Sequence, residues 1–246
     1  MLAEDRGDER AAVIATGVQI GALGALGQSE RIGVLALEGL RRAELTGNAR
    51  LISAALICWC SAYTFQLEDP DFAASLEVLE RYDIASGSGT MNDMWLDIYR
   101  GEALLGLGRP GAIQYLVRGA RSADRLGNPQ ALDQALREIA IVAADAGLVP
   151  QARMLADYAE TVLREYRGSH GGLWIEARLD RALGSGRADS PHPAHAHRRD
   201  IMELVDALET ALAHNGARDG RSDEAFGHVV SAPDVVGDSI ARDQRD

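Results

Sequence analysis

The sequence predicts an all-α chain built as a stack of helical hairpins, and three observations carry that prediction. A segment occurs twice: Gly39-Leu-Arg-Arg-Ala-Glu-Leu-Thr-Gly47-Asn48 returns as Gly119-Ala-Arg-Ser-Ala-Asp-Arg-Leu-Gly127-Asn128, 80 residues further on. That interval is twice the roughly forty-residue period of helical-hairpin repeats. Aromatic residues make up only 5% of the 246 while hydrophobic residues reach 46%, and alanine is abundant. Closely packed helices suit small side chains, whereas sheets draw on β-branched and aromatic ones. Turn positions also recur at Gly27, Pro70, Gly108 and Gly147, in steps of 43, 38 and 39 residues. Glycine is the residue that ends a helix in the left-handed conformation.

The first helix is placed at Ala11 to Leu26. Its uncharged run holds Gln19 and four glycines, is slightly short for a membrane span and meets Gln28-Ser29-Glu30-Arg31 at once, so it reads as a packed helix, with Gly17 and Gly21 at a close helix contact. The same glycines, with Gly24 and Gly27, lie inside and at the end of a helix and so do not form a nucleotide loop. Ser29 to Thr46 follows and closes on Gly47-Asn48. Ala49 to Phe65 contains Cys58-Trp59-Cys60; residues two apart on a helix point about 200° away from each other, so the two cysteines are expected to be buried free thiols.

Asp71 to Ala85 starts at the acidic turn Glu68-Asp69-Pro70-Asp71, where carboxylates favour helix starts. Gly87-Ser88-Gly89-Thr90 leads into Asn92 to Leu107, with Thr90 as its cap. Pro110 to Leu126 comes next, then Pro129 to Ala146, for which Asn128 is a cap and Pro129 occupies the first helical position without wasting an N–H. Val149 to Tyr166 carries Ala152, Leu155, Ala156, Ala159 and Leu163 at three- and four-residue steps, one buried stripe. In each hairpin the helix before the turn, apolar on more than one side, is expected between neighbouring units, and the helix after it outside.

The domain plan is a helical-repeat region over 1–184, a linker over 185–199, a C-terminal helix over 200–215 and a disordered tail over 216–246. The linker is rich in turn formers. The helix has an apolar stripe of Ile201, Leu204, Val205, Leu208 and Leu212 that caps the last unit. The tail is dominated by Asp, Arg, Gly and Ser.

A net charge of −12 argues against a nucleic-acid surface. All the basic residues are arginine, which rules out a Schiff-base lysine and the lysine of a P-loop. The charged, acidic start Met1 to Arg10 lacks the pattern of a secretory signal, and a cytoplasmic, non-membrane location is expected. His192, His195 and His197 lie in the linker without a supporting frame, and His170 lies in a loop. No metal, cofactor or catalytic residue is assigned, and the chain is not expected to be an enzyme.

Gly101 and Gly108 with Ala112, then Ala140 and Gly147 with Ala152, Ala156 and Ala159, resemble the small-residue signature of tetratricopeptide-like (TPR-like) repeats over about residues 8–184. The period is longer than that family's consensus and Pro70 stands where its turn glycine belongs, so the resemblance is at superfamily level. It implies a right-handed superhelical stack of antiparallel hairpins, an α-solenoid, with a concave groove for a peptide or helix. Helix positions one turn from the packing small residues line that groove in the family, which singles out Trp95, Glu102, Gln134 and Arg137. The alternative is that Trp95 is core and the three polar side chains are merely solvated. The implied function is a protein–protein interaction or scaffold module with a basic partner. The longer units ending in Gly-Asn are also similar to the helical region of bacterial LuxR-type or cyclase-linked signalling ATPases. That second resemblance implies a sensor segment docking on a separate ATPase or DNA-binding protein, since this chain has neither a P-loop nor a helix-turn-helix.

Overall fold

The computed structural model describes residues 9–25, 29–64, 71–81, 90–166, 173–184 and 197–216. Among them the chain is all-α, with ten α-helices and no strand. These are α1 (Glu9–Ala25), α2 (Ser29–Thr46), α3 (Ala49–Thr64), α4 (Phe72–Arg81), α5 (Met91–Gly106), α6 (Ala112–Leu126), α7 (Pro129–Asp145), α8 (Val149–Val162), α9 (Leu173–Leu183) and α10 (Arg198–Gly216), with a 3-10 turn at Arg164–Tyr166 after α8. None of them is long and apolar enough to cross a membrane. Gly27, Glu68, Asp69, Pro70, His170, His192, His195 and the tail lie outside the described residues.

Local chemistry sets the helix ends. Gly108, Gly127 and Gly147 have φ of 63°, 65° and 80°, and behind each the next residue closes a bond five residues back: Arg109 N–H to Leu104, Asn128 N–H to Ala123 and Leu148 N–H to Ala143, at 2.8–2.9 Å. This is the left-handed helix stop that glycine permits. The two Gly-Asn repeats then start the following helix in the same way. Asn48 Oδ1 accepts from Arg50 N–H at 3.0 Å and Asn128 Oδ1 from Ala131 N–H at 3.0 Å. Thr90 and Asp93 form a reciprocal capping box on α5, and Asp71 caps α4 by accepting from Ala74 N–H.

Several boundaries differ from the sequence reading by one to four residues, most clearly at α6 and α8. Gly111 takes φ of 93°, so Pro110 belongs to the turn and α6 begins at Ala112. Beyond Val162 the chain tightens into the 3-10 turn.

From α1 to α9 each helix packs on its sequence neighbours, and the odd-numbered helices also pack in a row, α1 on α3, α3 on α5, α5 on α7 and α7 on α9. Close approach of α5 and α6 depends on glycine in both directions. A Cβ on Gly101 would lie 2.6 Å from Leu116 Cγ, and one on Gly119 2.5 Å from Ile98 Cγ1. The sequence reading had the C-terminal helix capping the last unit; α10 lies mainly on α6 and α8. Ile201, Val205 and Leu208 are buried there, and Arg121 of α6 donates to Asp206 at 2.8 Å and Glu209 at 2.7 Å.

The apolar interior has two parts. One gathers side chains of α1, α2, α3, α4 and α5, and the other those of α4 through α10. Cys60 is buried and Cys58 partly so, and neither is in a disulfide. Burial pushes both thiols up from their ordinary range, which leaves them unreactive.

Candidate functional site

The four residues singled out by sequence occupy α5 and α7. Trp95 is half-buried, stacks on Tyr99 at a centroid distance of 5.8 Å and touches both parts of the core. It is thus largely a core residue. Glu102, Gln134 and Arg137 are all buried. None of the three is solvated: α9 reaches Glu102 and Arg137, and Gln134 bonds within α7 to Glu138. Trp174 Nε1–H donates to Glu102 Oε1 at 2.9 Å, and Arg137 pairs with Glu176. The row of contacts continues where Arg178 Nη2 donates to Asp145 at 2.8 Å, and Arg153 Nη2 donates to the Leu183 carbonyl at 3.2 Å.

The sequence reading placed no helix between Tyr166 and Gly184 and so missed Trp174 and Glu176. The signal was present: Ile175, Leu179 and Leu183 recur at four-residue steps and are all buried, the stripe of a short amphipathic helix.

A further member of the cluster is Glu138, fully buried on α7. Gln134 Nε2 donates to its Oε1 at 3.0 Å, while its Oε2 has no hydrogen-bond partner among the described residues. Burial first, and then the charge of Glu102, hold the Glu138 carboxyl well above the usual carboxylate range, against the opposing pull of Gln134 and Arg137. Two buried carboxyls that face one another do not both ionise readily.

This has a measurable sign. The unfolded chain releases the Glu138 proton near 4.5 and the folded chain holds it to higher pH. That proton's contribution to stability is therefore complete below 4.5 and is lost as pH rises through the folded value, at a slope of about 1.4 kcal/mol per pH unit. Glu138→Gln keeps the shape and removes the proton, so its urea midpoint is expected to exceed that of the parent by more at pH 8 than at pH 5. Parallel pH profiles would contradict the assignment. Asp97, also raised by burial against the pull of Arg118, acts in the same direction in both proteins. A second expectation concerns the indole. Trp174→Phe retains the ring but removes the donor to buried Glu102, and should cost about 1–3 kcal/mol in urea unfolding; a loss within error would mean that this hydrogen bond is not made in solution.

The arrangement holds a donor against a carboxylate and a carboxylate against a guanidinium, with no nucleophile and base in register. No three His, Cys, Asp or Glu among the described residues are placed to hold a metal. Among the described residues the surface clefts include two, the first of which shares Arg178 and Asp145 with the α9 contacts. One of about 330 Å³ is bordered by Leu105, Arg109, Ile113, Val142 and Arg178, and one of about 720 Å³ by Leu132, Tyr158, Val162, Tyr166 and Arg198. Comparison with protein-family models, with curated proteins and with solved structures finds nothing that matches this chain.

Proposed function

We propose that the chain is a non-enzymatic, cytoplasmic protein–protein interaction module: a right-handed superhelical stack of TPR-like hairpins that holds a helical segment of another protein against the inner faces of α5 and α7. The observation that carries this reading is the way those faces treat α9. Glu102 takes an indole N–H and Arg137 takes a carboxylate, so the surface has both the shape and the paired polar groups that helix-in-groove recognition uses. The row of odd-numbered helices supports the stacked arrangement, since hairpin repeats meet through their inner helices. With a net charge of −12, the partner protein is basic overall and its association is fast and salt-sensitive.

The test is capture by the purified full-length chain, followed by titration of the pure partner. A defined complex that weakens about tenfold or more between 50 and 300 mM salt is the expected result, in keeping with steering by net charge. Recovery no better than with an equally acidic control protein would end this reading.

A further inference from the structure

Three features of α9 bear on how firmly it is held. It has eleven residues, a length at which an isolated helix is marginal in water. Its buried apolar residues among those described are Ile175, Leu179 and Leu183, with half-buried Trp174 at one end packed edge-on against Phe72 of α4 at a centroid distance of 4.9 Å. Its remaining attachment is a row of polar contacts: Trp174 to Glu102, Glu176 to Arg137, Arg178 to Asp145, and Arg153 to its last carbonyl.

Charged and polar pairs of this kind define where a helix sits far more than they hold it there, because their attraction is largely offset by the water each group gives up. They can be exchanged for the same groups on another helix at little net change in free energy. The buried polar side chains of α5 and α7 are specific about what they accept. Arg137 is 1% exposed and needs an anion, and the Glu102–Glu138 pair needs a hydrogen-bond donor.

We propose that α9 is the resident occupant of the α5–α7 docking surface, and that the partner segment is an amphipathic helix of the same chemistry. That helix carries an apolar stripe at four-residue steps, an aromatic N–H donor on one side of its first turn and a carboxylate on the other. This rests on the interaction-module reading and adds to it the identity of the surface and a competition. A partner binds by replacing Trp174 at Glu102 and Glu176 at Arg137, so the chain with α9 docked is the closed form and the partner stabilises the open one. The net acidity of the chain and the local demand for a carboxylate are compatible: the partner protein is basic overall, and the acidic side chain sits on the one helix that enters.

The first measurement uses the unaltered full-length chain. Under native conditions the backbone amides of α9 are expected to exchange with deuterium at least about 100-fold faster than those of α7, the mark of local release ahead of global unfolding. Equal protection of the two helices overturns the proposal. The second uses the full-length chain with Trp174→Ala and Glu176→Arg, its helix content checked by circular dichroism, and a fluorescent synthetic peptide of residues 173–183. The peptide is expected to bind this variant at least about tenfold more tightly than the parent, whose own α9 competes; equal affinity overturns the proposal.

The two readings fail differently. A partner captured equally by parent and variant removes the competition and leaves the interaction module standing. Peptide binding confined to the variant, with no partner captured by either, keeps α9 as the resident occupant and removes the interaction module.

Discussion

Gly101→Val is expected to lower the unfolding free energy by about 3 kcal/mol or more. The ideal Cβ at this position falls 2.6 Å from both Cγ and Cδ2 of Leu116 and 3.1 Å from the Leu116 backbone nitrogen. Leu116 is fully buried and its backbone belongs to the middle of α6, so no small rotation of a flexible side-chain tip relieves the clash. The opposite contact, Gly119 against Ile98, holds the same two helices at the same separation. Gly101→Ala separates the two opposing terms. It gains about 1 kcal/mol of helix propensity against an overpacking cost of about 1–3 kcal/mol, so a loss of about 1 kcal/mol remains. Urea unfolding followed by circular dichroism measures both variants. An unchanged midpoint for Gly101→Val would show that α5 and α6 do not meet through these glycines.

Arg137→Ala is the second large effect, with an expected loss of about 3 kcal/mol, at the lower end of what breaking a buried ion pair costs. The guanidinium is among the largest fully buried side chains, and it offsets the charge at Glu138 besides pairing with Glu176. Its removal leaves a cavity and takes away a positive charge beside Glu138, so that carboxyl holds its proton to still higher pH. The loss stays near the lower end because the Glu176 side chain is 35% exposed and can turn to water. Arg137→Met fills the cavity without the charge and should recover about half of the loss. A fall of less than 1 kcal/mol for the alanine variant, by the same unfolding measurement, would mean that Arg137 is hydrated in solution and that α9 does not close over it.

What was legible in the sequence was what a residue decides by itself or with its near neighbours. Gly127 permits a positive φ wherever it occurs, Asn128 caps whatever helix follows it, and Thr90 needs only Asp93 three residues on. All three act as their positions suggested. The small residue at Gly101 was legible for a related reason, since a helix that approaches closely needs a gap at that step. The surroundings of Glu102 and Arg137 were not. Charged residues on a helix are ordinarily solvated because burying them is costly, and what reverses that expectation is Trp174, 72 residues away in sequence, together with Glu176. No periodicity within α5 or α7 announces what will arrive from α9. The α10 stripe shows the same limit: its buried face was readable, while the choice of α6 and α8 as its seat depends on Arg121 meeting Asp206 and Glu209 across 85 and 88 residues.

The division of the interior into two parts bears on how the molecule comes apart. The side chains of α1 to α3 meet the second part chiefly by way of α4 and α5, so the α4–α5 seam decides whether the two parts unfold together. The three tryptophans happen to survey that seam. Trp59 lies within the first part, Trp95 touches both and Trp174 lies against the second. Variants retaining one tryptophan each would therefore report by intrinsic fluorescence whether the two parts share one transition, the condition under which a circular-dichroism midpoint gives one stability.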